Sequence, residues 1–206
     1  MDGIMVQEAG HQRLPTAERR AEILAAALSL FGRKAYDSVG MRDVAAECGL
    51  SAAAIYRHFP NKESLLVGLF DRLSDTMNPV IRAASRFDDP RERLDYLVGQ
   101  HVAMVLAEPM MIPVYQHEAA SLPVEERQRF RAVESRYEEC WRQTLRGLRS
   151  DSTEASVDVT IHGVFGLMNS FATYAAERSP RTLEKAITDL AWKVLGRRPS
   201  GVTKRD

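Results

Sequence analysis

Residues 41–63 read MRDVAAECGLSAAAIYRHFPNKE, a stretch that predicts two short helices joined by a glycine turn. Apolar residues recur at the spacing of one helical face across residues 41–48, and Gly49 follows where a helix end favours a positive φ. Ser51 predicts the N-cap of the second helix, because its hydroxyl can accept a hydrogen bond from a free amide in the next turn. Pro60 ends this second helix.

An exposed second helix in such a pair forms a helix-turn-helix, whose second helix fits the major groove of DNA. The alternative is a helical hairpin inside an all-helical core. Small residues begin the second helix at Ala52, Ala53 and Ala54, and small side chains let a backbone approach base edges. Polar side chains around the helix are able to contact phosphates. The predicted DNA-binding residues are Arg42, Ser51, Ala52, Ala53, Tyr56, Arg57, His58 and Lys62.

The segment 19–66 resembles the N-terminal domain of the TetR family of transcriptional regulators. The matching pieces are the I-L-x-A-A-x-x-L-F opening at 23–31, Tyr36, the M-R-D-V-A block at 41–45 and I-Y-R-H-F-x-N-K-E at 55–63. Two positions depart from the family pattern. Ala35 stands where Gly is usual, and Gly40 stands where a Thr or Ser usually caps the helix and touches phosphate. The resemblance implies a DNA-binding regulator in which Gly40 does not supply that contact.

The composition is that of an ordinary soluble protein of 206 residues, with 45% hydrophobic and 27% charged residues. No apolar run approaches the length of a membrane span, and the N-terminus lacks the features of a secretory signal. We therefore expect a cytoplasmic protein with Cys48 and Cys140 reduced.

The net charge is zero, and residues 13–62 hold eight basic and five acidic side chains. The motif, rather than the charge, carries the DNA prediction.

The remaining sequence predicts helices separated by polar or proline-containing breaks, with no repeat and no alternating strand pattern. We predict an all-α fold with an N-terminal three-helix helix-turn-helix head and a C-terminal helical bundle for ligand binding and dimerisation. The predicted parts are a flexible arm at 1–15, a DNA-binding domain at 16–61, a ligand-binding and dimerisation domain at 62–196, and a flexible tail at 197–206. A long helix from Lys62 links head and bundle, and Pro79 is expected to bend or break it.

The helix predicted at 156–177 is apolar on more than one face, which predicts burial on several sides. The resemblance implies that the last two helices, about 156–177 and 181–195, pair with their copies in a homodimer. A helix that is merely central in its own domain is the alternative. Gly163 and Gly166 would allow close approach of two helices. A two-fold dimer would read a palindromic operator in double-stranded DNA, with half-sites about 34 Å apart or a multiple of that spacing.

The resemblance also implies a pocket for a small-molecule effector in the C-terminal part. Methionine and aromatic side chains with a few polar groups suit an apolar or amphipathic ligand, while ordinary core packing is the alternative for each residue. The predicted pocket residues are His101, Met104, Met110, Met111, Tyr115, His117, Trp141, Phe165, Met168, Asn169 and Tyr174.

A second resemblance concerns the class of effector. The segment VYQHEAASLP at 114–123 and the layout MNSFATYAAERSP at 168–180 are similar to regulators of fatty-acid and steroid-ring catabolism, which respond to acyl-coenzyme A thioesters. Several of those regulators carry a Trp and an Arg-Trp-Tyr-Pro run where this chain has Phe171 and residues 174–176. The similarity implies a lipid-like or acyl-CoA effector.

The main hypothesis is a ligand-gated repressor that an effector releases from its operator. The rival is an enzyme, whose candidate residues would be His101, His117, Glu118 and His162. No H-E-x-x-H motif, paired cysteines, Gly-rich phosphate loop or serine elbow is present, so we expect no catalytic residue, no metal site and no cofactor. A third possibility is a ligand-binding helical dimer without operator binding, which Gly40 keeps open.

Overall fold

The computed structural model describes residues 16–148, 152–175 and 180–196. Within these ranges the regular secondary structure consists of α-helices and short 3-10 turns, and no strand occurs. This result confirms the predicted all-α fold. The arm predicted at 1–15 and the tail predicted at 197–206 lie outside the described residues.

The N-terminal head consists of three helices, α1 (Thr16–Arg33), α2 (Met41–Glu47) and α3 (Ala52–Tyr56). The turn between α2 and α3 depends on Gly49, whose φ of 62° lies in the left-handed region that side chains with a Cβ disfavour. This conformation lets the Leu50 amide donate to the Ala45 carbonyl at 2.9 Å, which closes the C-terminus of α2.

The long helix α4 (Lys62–Ala84) connects the head to the rest of the chain. Asn61 caps its start, because the Asn61 Oδ1 accepts a hydrogen bond from the Ser64 amide at 2.7 Å. Pro79 lies inside the helix, which continues to Ala84, so the break considered at Pro79 is absent.

The C-terminal part is built from longer helices that pack around α7. The remaining helices are α5 (Pro90–Ala107), α6 (Met111–Glu118), α7 (Val124–Leu148), α8 (Glu154–Ser170), α9 (Ala172–Ala175) and α10 (Pro180–Val194). Helix α7 packs along α4, α5 and α8, and α10 packs on α5 and α8. Because α1 also packs on α4 and α6, the head and the C-terminal part share one hydrophobic core.

The helix predicted at 156–177 differs from the observed structure in two respects. It ends at Ser170 and is followed by the short α9, since the Phe171 amide bonds back to the Met168 carbonyl as a helix cap. In the protomer, α8 is also buried on one side only, through residues such as Ile161 and Val164. Val159 on the opposite side is 72% exposed, so the expected burial on several sides is not met within one chain.

In the part of the chain that the structure describes, no single helix has the length and apolarity needed to cross a membrane. Helices α5 and α6 meet that criterion only when taken together as a pair bent by 93°.

Two glycines provide a paired test of this fold. Gly49→Ala should lower the free energy of unfolding by about 1–2 kcal/mol, because alanine is strained at a positive φ. Gly99→Ala should raise it by about 0.5–1 kcal/mol, because Gly99 lies inside α5 with no atom within 4 Å of an added Cβ. Urea denaturation of both variants measures these effects. Stabilisation by Gly49→Ala would contradict the observed turn.

Candidate DNA-binding surface and ligand cavity

One face of α3 is open to solvent and the other forms part of the core of the head. Ile55 is fully buried, whereas Ala53 and Arg57 are exposed and Tyr56 is 51% exposed. The Ser51 hydroxyl accepts a hydrogen bond from the Ala54 amide at 3.2 Å and sets the start of the helix. The exposed face therefore combines a small residue with two side chains that can donate to phosphate.

The other predicted contact residues lie beside this face. Arg42 and Ser51 are exposed, and Ala52 is partly exposed. His58 is half-buried, and its carbonyl oxygen accepts a hydrogen bond from Arg20 at the end of α3. These residues therefore differ in how far their side chains are open to solvent.

Lys62 makes a contact that the sequence did not predict. Its ammonium donates to the Tyr36 carbonyl oxygen at 2.8 Å and lies 4.2 Å from the centre of the Tyr36 ring. In this structure Lys62 fastens the start of α4 to the turn after α1, rather than pointing freely towards a phosphate. Burial raises the pKa of Tyr36 to about 12, which keeps its phenol neutral.

Gly40 precedes α2 and is exposed. The Asp43 carboxylate accepts a hydrogen bond from the Gly40 amide at 2.7 Å and so organises the helix start. The start of α2 is therefore organised although Gly40 has no hydroxyl.

A cavity of about 70 Å³ lies between α4, α5, α6, α7 and α8. Its lining is mostly apolar, with a small set of polar groups at one side. The lining residues are Leu73, Met77, His101, Met104, Ile112, Tyr115, Phe130, Glu134, Tyr137, Glu138, Phe165 and Asn169. Five predicted pocket residues are among them, namely His101, Met104, Tyr115, Phe165 and Asn169.

Two of the predicted pocket residues at the start of α6 face other parts of the protein. Met110 packs against Gly32 of α1, where an added Cβ would come within 2.9 Å of the Met110 Sδ. Met111 is buried in the core and borders a neighbouring cleft between the middle of α4 and the end of α5, which shares Leu73, Met104 and Ile112 with the cavity. Neither residue is among those that line this cavity.

Four further predicted residues also lie away from the cavity surface. Trp141 and Met168 are fully buried behind its wall, and the Trp141 indole N–H makes no hydrogen bond. His117 is exposed on α6, and Tyr174 is 44% exposed beside Phe171. These side chains were selected by residue type, which does not reveal the direction in which each one points.

The contributions of α4 and α7 to the cavity were not predicted from the sequence. Leu73 and Met77 come from α4, where their apolar spacing indicated core. Glu134, Tyr137 and Glu138 come from the inner face of α7. A useful signal was present, because these carboxylates stand within one turn of residues whose spacing predicts burial.

His101 is the centre of the polar side of the cavity. Its Nδ1 lies 3.1 Å from the Tyr137 hydroxyl, and its Nε2 lies 3.1 Å from the Asn169 Oδ1. The Phe165 ring stacks on the imidazole at 4.6 Å between centres. Burial lowers the pKa of His101 from 6.5 to about 4, so the ring is neutral at pH 7.

The two carboxylates of α7 give the cavity an acidic side. Glu134 accepts a hydrogen bond from the Tyr115 hydroxyl, whose pKa is raised above its usual value by burial and by this bond. Burial, and then the nearby charge of Glu134, raise the pKa of Glu138. None of the residues described as lining the cavity is Lys or Arg.

The cavity opens onto an outer cleft that has a different electrostatic character. The two spaces share six lining residues, namely Tyr115, Phe130, Glu134, Glu138, Phe165 and Asn169. Arg127 and Arg131 of α7 line only the outer cleft, together with His162 of α8. An amphipathic molecule could therefore place an apolar end inside and a polar end beside these cations.

The residues considered for an enzyme are separated in the structure. His101 is buried at the cavity, whereas His117 and His162 are exposed on α6 and α8. Over the described ranges, no group of three or more His, Cys, Asp or Glu side chains is arranged to hold a metal ion.

Comparison with known families identifies both parts of the chain. Residues 23–69 match the family described as "Bacterial regulatory proteins, tetR family". Residues 88–195, just over half of the chain, match the "Tetracyclin repressor-like, C-terminal domain".

Characterised and uncharacterised regulators share parts of this sequence. The repressor KstR2 of Rhodococcus jostii is 27% identical over 149 residues, covering 69% of this chain and 72% of KstR2. The uncharacterised regulator YuxN of Bacillus subtilis is 35% identical over 75 residues, covering 36% of this chain and 26% of YuxN. The chain thus spans about a quarter of the length of YuxN.

Solved structures share the fold over nearly the whole chain. A TetR-family regulator from Bordetella parapertussis has a TM-score of 0.76 at 21% identity, covering 90% of this chain and 98% of that one. AibR, solved with isovaleryl coenzyme A and operator DNA, has a TM-score of 0.67 at 19% identity, covering 84% and 97%.

The neutral, buried His101 predicts a specific dependence of stability on pH. The unfolded chain takes up a proton on this imidazole near pH 6.5 and the folded chain only near pH 4, so stability falls as the pH drops through this window. The loss from this group should be about 3 kcal/mol. Urea denaturation across the window should therefore show a shallower pH slope for His101→Gln than for the natural chain.

The same substitution at the exposed His117 is the matched control, because it removes an imidazole without touching the buried network. The groups with raised pKa values, including Glu138 and Asp71, act in the opposite direction and are common to both variants. An unchanged slope in His101→Gln would refute a buried, neutral imidazole.

Proposed function

Since the chain belongs to the TetR family of bacterial transcriptional regulators, we propose that it is a repressor released from a palindromic operator by a small effector. The observation that carries the proposal is the combination of an exposed α3 with an internal cavity in a single packed unit. The first feature serves DNA binding and the second serves ligand binding. The effector is apolar or amphipathic, in keeping with the lining of the cavity.

DNA recognition is assigned to the exposed face of α3 and its surroundings. Ala53 allows close approach to base edges, and Tyr56 and Arg57 reach the DNA backbone. Arg42 and Ser51 extend the contact surface on the side of α2. Lys62 contributes mainly by holding the start of α4 on the head, because its ammonium is bound to Tyr36.

Helix α4 provides one connection between the cavity and the head. Leu73 and Met77 line the cavity, and Lys62 at the start of the same helix binds Tyr36. A ligand that displaces the wall of the cavity therefore shifts the attachment of the head. A coupling free energy of about 1–3 kcal/mol would weaken operator binding roughly 5–150-fold.

Helix α6 provides a second connection. Ile112 and Tyr115 line the cavity, while Met110 just before α6 fills the space left by Gly32 on α1. Movement of α6 by a ligand would press Met110 against α1, which supports the helix-turn-helix. Both connections act on the head from the same cavity.

A homodimer formed through α8 and α10 would fit the proposed binding to a palindromic operator. Val159 on α8 is 72% exposed and Val194 on α10 is 48% exposed. An added Cβ on Gly163 or Gly166 would meet no atom within 4 Å, so the exposed side of α8 has room for another helix. Burial of this apolar face against a second copy would place two heads about a two-fold axis.

Acyl-CoA thioesters are the effector class that we favour. AibR, which shares the fold, was solved with isovaleryl coenzyme A. In the present chain an acyl group would fit among Leu73, Met77 and Phe130, and the nucleotide phosphates would lie near Arg127 and Arg131.

The DNA-binding assignment can be tested at Ala53. Ala53→Glu should weaken binding to a fragment of the chain's own promoter by about tenfold or more, because a carboxylate would face bases and phosphates. Ala132→Glu on the exposed side of α7 adds the same charge elsewhere and should leave affinity unchanged. Fluorescence anisotropy at fixed salt measures both affinities. Equal affinities would show that α3 is misassigned.

The same assay separates the repressor from a ligand-binding dimer without operator binding. Gly40 favours that alternative, because it offers no hydroxyl to phosphate. A natural chain that binds the promoter fragment no better than unrelated DNA of equal length would establish the alternative.

The dimer surface can be tested with two exposed valines. Val159→Asp should give a monomer, because it would bury a charge at the centre of the proposed interface. Val124→Asp, at a valine that is 58% exposed on α7, should leave the dimer intact. Size-exclusion chromatography with light scattering gives the mass of each variant. A dimeric Val159→Asp would place the interface elsewhere.

A further inference from the structure

The hydrogen-bond directions in the Tyr137–His101–Asn169 network follow from chemistry. A neutral imidazole carries one donor nitrogen and one acceptor nitrogen. The Asn169 Oδ1 can only accept, so the His101 Nε2 that faces it at 3.1 Å carries the proton. The His101 Nδ1 must then accept from the Tyr137 hydroxyl, which lies 3.1 Å away. These directions hold for the amide orientation in which Oδ1, rather than Nδ2, of Asn169 faces His101.

This network leaves one donor group of a cavity-lining residue outside its hydrogen bonds. The Asn169 Oδ1 is engaged by His101, while its Nδ2 group has no acceptor in the part of the chain described. Asn169 is half-buried and lines both the inner cavity and the outer cleft. A ligand entering from the cleft therefore passes an N–H donor whose position is fixed by two buried side chains.

The charges around this donor select against an anion. Glu134 and Glu138 line the same cavity, and no Lys or Arg among the described residues does so. A carboxylate placed on the inner side of Asn169 would lose its hydration and would be repelled by these two side chains, since Arg127 and Arg131 line only the outer cleft. A carbonyl oxygen in a neutral group accepts a hydrogen bond without that cost.

We propose that Asn169 Nδ2 binds the carbonyl oxygen of a neutral ester, thioester or ketone on an apolar chain, and that the cavity rejects the corresponding free carboxylate. Asn169 contacts the ligand, whereas His101 and Tyr137 are positioning residues that hold its amide in the donating orientation. The inference rests on the proposed role of the cavity as an effector site. It specifies the ligand atom that is recognised and the residue that recognises it.

A matched series of ligands tests the preference for a neutral carbonyl. The series contains the decanoyl and hexanoyl thioesters of N-acetylcysteamine, the corresponding coenzyme A thioesters, 2-undecanone, decanol and decanoate. Isothermal titration calorimetry should show that the thioesters and the ketone bind. The affinity for decanoate should be lower than theirs by about tenfold or more. Coenzyme A thioesters that bind more tightly than N-acetylcysteamine thioesters would identify the nucleotide as part of the ligand. Equal affinities for the coenzyme A and N-acetylcysteamine thioesters would identify the ligand as a simple carbonyl compound without a nucleotide.

Two isosteric variants test the role of Asn169. Asn169→Asp replaces the donor with an acceptor and should weaken thioester and ketone binding by about tenfold or more. Asn78→Asp is the control, because this amide on α4 bonds to Arg136 at 3.2 Å and does not line the cavity. Melting temperatures of both variants without ligand show whether the fold is retained. Unchanged ketone affinity in a folded Asn169→Asp variant would overturn the proposal.

The positioning role has a separate spectroscopic readout. Nitrogen-15 spectra of the natural chain should show His101 protonated on Nε2, and Tyr137→Phe should change the tautomer or broaden it by exchange. Protonation on Nδ1 in the natural chain would contradict the assigned hydrogen-bond directions.

The outcomes also separate this inference from the proposed function. If decanol or decanoate binds at the cavity and releases the promoter fragment while carbonyl compounds do not bind, Asn169 is not a carbonyl-binding residue but the effector cavity stands. If none of the ligands binds, both proposals are contradicted.

Discussion

The structure depends on a single long helix, α4, that reaches from the head to the cavity. Its 23 residues correspond to about 35 Å of α-helix. At one end Lys62 binds the Tyr36 carbonyl and covers the Tyr36 ring, and further along Leu73 and Met77 form part of the cavity wall. Apolar residues bury one side of this helix along most of its length, and the proposed coupling requires that a displacement at the cavity move the whole helix and with it the attachment of the head.

The cavity itself combines features that restrict its ligand. Its apolar wall supplies most of the contact area, while the neutral His101 and the two carboxylates of α7 define where polar atoms are tolerated. The arginines lie outside, in the cleft at its mouth. Regulators that share this fold bind different effectors with the same helical frame, so the chemistry of these few side chains, and not the fold, determines the effector class.

The sequence was most informative where local rules govern structure. Gly49, Ser51 and Asn61 predicted the turn and two helix starts because each acts through its own backbone neighbours. The cavity was predicted less well, since Met110 and Tyr115 are similar in sequence context but point to α1 and to the cavity, respectively. Such directions depend on how helices pack. Glu134 and Glu138 were missed for the same reason, because an acidic pair on a long helix usually faces solvent.

The central claim is that the cavity and the DNA-binding head are energetically coupled. Thermodynamic linkage requires an effector and an operator to change each other's affinity by the same factor. The most direct test measures binding of decanoyl-N-acetylcysteamine to the natural chain by calorimetry, alone and with a saturating promoter fragment. The account predicts weaker ligand binding in the presence of DNA, by the same roughly 5–150-fold factor with which the ligand weakens DNA binding. Identical ligand affinity with and without bound DNA would contradict it.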